Sequence, residues 1–164
     1  MNSFEKCRAI EEESNKDVYK FLTERYDFVV HTDEFKNNRT YQSYYGDYLC
    51  VLKDEKVFIE VKAEVKNKYN NFYLETWSNK PQNIGWFKKC KADVILYHFL
   101  EDNVIYLFDL VLAQKFIKNS DGVYPEKPQS KYSQMNKAYG LCVPINVIMK
   151  HAGLLTINLN GENK

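Results

Sequence analysis

Three charged side chains, Asp47 in YYGDYLCVL (residues 44 to 52) and Glu60 and Lys62 in VFIEVK (57 to 62), are of the types that phosphodiester hydrolysis requires. Two carboxylates set close together repel, and burial beside apolar residues raises a carboxyl pKa unless a cation is present. A divalent ion removes that conflict. Mg²⁺ or Mn²⁺ takes hard oxygen ligands, commonly one or two protein carboxylates, and keeps waters that can be deprotonated or can bridge to a phosphate. An ammonium placed like that of Lys62 then orients the attacking water and stabilises charge building on the phosphoryl oxygens. On a solvated strand, however, Glu and Lys two residues apart are an ordinary salt bridge, and their spacing alone does not separate the two readings.

Whether Asp47 joins the pair depends on how the strands align. Both segments are rich in β-formers and are separated by KDEK, which predicts a hairpin over residues 44 to 62. With Asp54 and Glu55 at the tip, Leu52 faces Val57, Cys50 faces Ile59 and Tyr48 faces Val61, a consistently apolar side. On the other side Asp47 falls opposite Lys62 and diagonal to Glu60, at roughly 7–8 Å between Cα positions.

The elements around this hairpin follow from periodicity. Phe4, Cys7, Ile10, Ser14, Val18, Phe21 and Arg25 recur every three or four residues, predicting a helix over 3 to 25 with one buried stripe. Glu5, Glu11, Glu12 and Glu13 lie toward its N-terminal half, where the macrodipole favours them. A polar stretch, HTDEFKNNRT, precedes the hairpin. FYLETW (72 to 77) predicts a third strand, and KPQNIGWFKKCK a turn followed by a short basic helix over 83 to 91. ADVILYHFL reads as a central strand covered on both faces, VIYLFDL as another strand, and VLAQKFIKN as a helix capped by Asp109. A polar loop, DGVYPEKPQSKYSQMNKAYG, leads to a helix opened by Pro144 and closed near Gly153, then to the strand LLTINL. The expected fold is α/β, a central mixed β-sheet flanked by helices, in one domain spanning 1–164.

Gly46-Asp47, then Glu60-Val61-Lys62, behind an acidic helix, resembles the PD-(D/E)XK (restriction-endonuclease-like) nuclease superfamily, with a glycine where proline is common before the aspartate. The resemblance covers about residues 4 to 110. FYLETWSN and IGWFKKCKADVILYHF further resemble small phage-type members. It implies an αβββαβ core with a C-terminal extension, and a metal-dependent DNA nuclease, endonucleolytic or junction-resolving. Asp47 and Glu60 would bind Mg²⁺ or Mn²⁺, Lys62 would be catalytic and Glu75 would support the site; Glu13 is the nearest helix acid that could join. The superfamily also holds inactive members, so a non-catalytic nucleic-acid- or protein-binding module on the same fold is the alternative. A double-strand cutter or junction resolvase would need two active sites, hence a homodimer.

Composition excludes several other classes. With 45% hydrophobic and 15% aromatic residues among 164, the chain is a folded globule rather than a disordered segment. No apolar run approaches the ~20 residues that cross a bilayer, and the charged N-terminus is unlike a signal peptide, so a cytoplasmic protein without a membrane partner is expected, encoded by a phage and acting in a host cell if the phage-type resemblance extends to origin. Cys7, Cys50, Cys90 and Cys142 form no ligand or disulfide pattern and read as reduced thiols. His31, His98 and His151 are scattered and read as non-ligands, His98 as a satisfied core or edge histidine. Net charge is +1, but residues 62 to 91 carry seven Lys against two Glu. Such a segment suits a polyanion, and Lys88, Lys89 and Lys91 are the residues expected to contact DNA, whereas Trp86 is expected to pack on the core.

Overall fold

The first helix forms because its apolar positions fall on one stripe. In the computed structural model, which describes residues 3–34, 44–129 and 137–160 (residues 3–8 by backbone only), α1 spans Ser3–Thr23. Ser14, Val18, Phe21 and Leu22 are buried, while Glu11, Glu12 and Glu13 are exposed. The side chains of Phe4 and Cys7 lie outside the described residues. The helix stops at Thr23, short of the expected Arg25, whose guanidinium instead lies 4.0 Å from the centre of the Phe21 ring.

The chain then forms a strand that the polar reading of this region passed over, β1 (Phe28–His31), followed by a 3₁₀ turn at Thr32–Glu34. Strands β2 (Tyr48–Leu52) and β3 (Glu55–Glu64) make the hairpin. β4 (Asn71–Asn79), β5 (Asn83–Ile84) and a single helical turn, α2 (Trp86–Lys89), come next, the last much shorter than the helix expected over 83 to 91. β6 (Val94–Phe99), β7 (Val104–Asp109) and α3 (Leu110–Asn119) follow as expected, with the Asp109 carboxylate accepting from the Leu112 N–H at 2.8 Å. β8 (Glu126–Pro128) lies within the stretch read as loop. The remainder is β9 (Tyr139–Pro144), α4 (Ile145–Ala152) between Pro144 and Gly153, and β10 (Gly153–Asn158).

Two sheets result. The six-stranded sheet runs β1-β2-β3-β6-β7-β10, antiparallel throughout except that β3 and β6 are parallel. The second runs β5-β4-β9-β8 and is antiparallel. FYLETW is therefore a strand, but not the third of the central sheet: β4 pairs with β9 through Leu74 and Leu141. The fold is α/β with a mixed central sheet flanked by helices. α1 covers one face of that sheet, against Tyr48, Cys50, Ile59 and Leu96. The opposite face, with Ile95, Phe99 and Phe108, packs on Phe72 and Leu74 of β4 and on α3 and α4. Among the described residues no helix is long and apolar enough to cross a membrane.

Candidate active site

The hairpin turns on Lys53 and Asp54, both at positive φ (49° and 67°), the backbone of a type I′ turn. Tyr48 therefore pairs with Ile59 and Cys50 with Val57, two residues away from the expected alignment with its tip at Asp54 and Glu55. A slip of two leaves every side chain on its expected face, because strand side chains alternate with period two. Asp47 is thus carried beside Glu60 rather than opposite Lys62. Its N–H donates to the Ile59 carbonyl at 2.8 Å, and its Oδ2 accepts from the Val61 N–H at 2.8 Å.

Gly46 makes this approach possible. It sits at φ +95°, and a Cβ there would lie 2.7 Å from the Ile59 carbonyl oxygen. Proline, held near φ −65°, could not adopt that conformation. The segment is pinned from β1 as well: the Thr32 hydroxyl donates to the Gly46 carbonyl at 2.6 Å, and the Thr32 N–H to the Asp47 carbonyl at 2.8 Å.

Glu60, only 8% exposed, meets Lys62 with 2.6 Å between Oε1 and Nζ. Burial raises the Glu60 carboxyl above its ordinary range, and the neighbouring charge of Asp47 adds to that rise against the opposing pull of Lys62. For Lys62, burial alone would lower the ammonium, but the charges of Glu60 and Asp47 more than reverse it, so its pKa stands above the usual value. It remains a cation at neutral pH.

Asp47, Glu60 and Lys62 line one cleft of about 440 Å³. Its far wall is the second sheet, from which Glu75 and Tyr73 project, and α2 contributes Trp86 and Lys89. Trp86 does pack against the core, as expected, but its ring centre also lies 5.2 Å from Lys62 Nζ. From α1 it is Glu11, not Glu13, that reaches the cleft; Glu13 lies beside Val65 and Glu101 at a separate depression. Of the three lysines assigned to DNA, Lys89 lines the cleft and Lys88 is paired with Glu126 at 3.2 Å. Lys91 is exposed, with its N–H bonded to the Tyr44 carbonyl. Cys90 Sγ lies 3.9 Å from Glu60 Oε2, and burial pushes its thiol up to about 11, so it is a protonated neighbour rather than a nucleophile.

An adjoining cleft of about 380 Å³ shares Glu11, Asp47 and Lys62 and is completed by His31 and Asn15. His31, read as a non-ligand, has Asp33 two residues on, with Nδ1 and Oδ1 2.5 Å apart. That His-x-Asp spacing was the available signal. His98 is fully buried, with Nδ1 3.0 Å from the Ser14 hydroxyl, but its Nε2 has no hydrogen-bond partner among the described residues, so it is only half satisfied. Cys50 and Cys90 are buried free thiols and Cys142 a half-buried one, in line with the reduced-thiol reading. Among the described residues no three His, Cys, Asp or Glu side chains cluster closely enough to hold a metal ion between them.

Fold and cleft together define an α/β protein with a charged recess where the central hairpin faces a second sheet. Compared with known proteins, the chain matches no family model, no curated protein and no solved structure.

Proposed function

We propose that the protein is a divalent-metal-dependent DNA nuclease of the PD-(D/E)XK type. The observation that carries the reading is the presence of Asp47, Glu60 and Lys62 in a single cleft, the two carboxylates from neighbouring strands and the lysine beside them. The strand order supports it: α1, then the meander β1-β2-β3, then β6 parallel to β3, has the succession of an αβββαβ core, with β4, β5 and α2 in the crossover. Strands β7 to β10 and helices α3 and α4 would be the C-terminal extension.

Mg²⁺ or Mn²⁺ fits the donors present: two hard carboxylates, one of them buried and raised in pKa for want of positive charge, are a sufficient protein contribution for an ion that retains waters. Asp47 and Glu60 would hold it, and it would supply Lewis-acid polarisation of the phosphate and an acidified water. Lys62, cationic at working pH, orients the attacking water and opposes the charge that grows on the phosphoryl oxygens as the water oxygen bonds to phosphorus and the bond to the leaving oxygen breaks. Glu75 faces this centre from the second sheet, and Trp86 fixes the ammonium over its ring. One observation favours the alternative of a non-catalytic binding module: Glu60 and Lys62 satisfy one another at 2.6 Å.

The test is incubation of the purified protein with plasmid, single-stranded and branched DNA, in Mg²⁺, in Mn²⁺ and in EDTA. Cleavage should require the metal, vanish in Lys62→Ala and fall in Glu75→Gln. A Lys62→Ala protein that cuts as fast as wild type would overturn the mechanism, and no cleavage of any form would leave the binding module.

A further inference from the structure

Beyond the cleft, ammonium groups and aromatic rings alternate along the second sheet. Lys62 lies over Trp86. Further out, Lys88 lies 4.9 Å from the centre of the Trp77 ring, Lys80 lies 5.9 Å from the same ring, and Lys80 is 5.2 Å from the ring of Tyr139. The three rings are half-buried, and Lys80 and Lys88 are each 45% exposed. Continuity with the cleft is direct, because Lys89, next to Lys88, and Gln129, just past β8, both line it.

One carboxylate ties this ladder together. Glu126 on β8 accepts from Lys80 at 2.9 Å, Lys88 at 3.2 Å, the Thr76 hydroxyl at 2.8 Å and the Trp77 indole N–H at 3.1 Å. It occupies the position that a phosphate would take between the two ammonium groups.

We propose, building on the nuclease reading, that this ladder is the approach track for an unpaired nucleic-acid strand, and that Glu126 is a built-in competitor that the strand's phosphates displace. Lysines alone would serve duplex and single strand alike, since both present phosphates. Aromatic faces distinguish them: in a duplex the base faces are already stacked on one another, whereas an unpaired strand offers each base to a ring. On binding, a phosphate takes Lys80 and Lys88 from Glu126, and the ring face each ammonium leaves becomes free for a base.

The experiment is fluorescence anisotropy of a labelled oligodeoxythymidylate, and of a duplex of equal length, on Lys62→Ala protein in EDTA, where nothing is cut. Single strand should bind at least tenfold more tightly than duplex, and Trp77→Leu should cost about tenfold in single-strand affinity, the low end of one lost base stack. Lys80→Gln with Lys88→Gln, which leaves every ring in place, should flatten the dependence of log affinity on log salt by about 1.4, near 0.7 per lost phosphate contact. Glu126→Gln should bind single strand several-fold more tightly. Equal binding of duplex and single strand, or an unchanged salt slope in the double lysine variant, overturns the track. These readouts do not depend on catalysis: a wild-type protein that cuts duplex and single strand alike sinks the track and keeps the nuclease, while tight single-strand binding without cleavage does the reverse.

Discussion

Replacing Glu126 with glutamine removes the one negative charge that holds Lys80, Lys88, Thr76 and Trp77 together. Desolvation alone would raise the Glu126 carboxyl, but the hydrogen bonds from Lys80, Thr76 and Lys88 overcome it and bring the pKa from 4.5 down to about 2. At ~1.36 kcal/mol per tenfold change in protonation equilibrium, that lowering caps the contribution near ~3.4 kcal/mol. Glu126 is a quarter exposed and its lysines nearly half, so solvent screening reduces the expected loss to about 1–2 kcal/mol. A carboxyl held below its unfolded value stabilises the fold above that value and loses the contribution as pH falls through the folded one. The wild-type advantage should therefore be complete above pH 6, shrink by roughly two-fifths at pH 3.5, and disappear near pH 2. Urea unfolding of wild type and Glu126→Gln at pH 7 and pH 3.5, at one salt concentration, measures it; the expected midpoint difference at pH 7 is about 0.5–1 M. A gap of the same size at both pH values would refute the electrostatic account and leave only packing.

Lys62→Met strands the buried Glu60 carboxylate. Because Lys62 itself is 29% exposed, the loss should be about 2–3 kcal/mol, below the range for a fully enclosed pair. Glu60 has a raised folded pKa, so this loss should be greatest in alkali and smallest below about pH 4.3, where both states are protonated; urea midpoints against pH would show the trend. His98 is lowered below 6.5 by burial, which outweighs the charges of Asp17 and Glu13. Its folded state therefore resists protonation, and wild-type stability should fall as pH drops below 6.5, a slope that His98→Gln should flatten between pH 7 and 5 in the same assay. Lys53→Asn combined with Asp54→Gly puts the preferred residues of a type I′ turn at two positive-φ positions and should add about 1 kcal/mol to the unfolding free energy.

Much of the fold was legible because it depends on local signals. The stripe through Ser14, Val18 and Phe21, the Asp109 cap, the apolar run through Ile95 and Leu96, and the helix between Pro144 and Gly153 are each written in a few adjacent residues. β1 was missed because FVVH is only four residues long, follows α1 almost at once and leads into HTDE without a recognisable hairpin turn. FYLETW shows why sheet membership is harder still. Its alternation buries Phe72, Leu74 and Thr76 and turns Tyr73 and Glu75 outward, and that pattern is the same whichever sheet the strand joins. Only contacts made some sixty residues later, with Leu141 and Val143, decide it.

The site was legible for a different reason. The expected register of the hairpin was wrong by two residues, yet Asp47 and Glu60 still reached the same cleft, because the face on which a strand residue lies depends only on whether its position is odd or even. A slip of one would have removed the carboxylates from one another; a slip of two only exchanges which of them stands across from Asp47. Nothing of that kind protects the residues contributed by other elements. Choosing Glu11 over Glu13 requires the rotation of α1 about its own axis, and seating Trp86 over Lys62 requires the close approach of a one-turn helix to β4 at Gly85. Gly46 joins the two cases. Read as a departure from a proline-containing motif it weakens the resemblance, but at φ +95° and pressed on the Ile59 carbonyl it is what lets Asp47 dock on β3 at all. A Gly46→Ala protein should therefore lose the site through backbone displacement, even though the substitution touches no charged group.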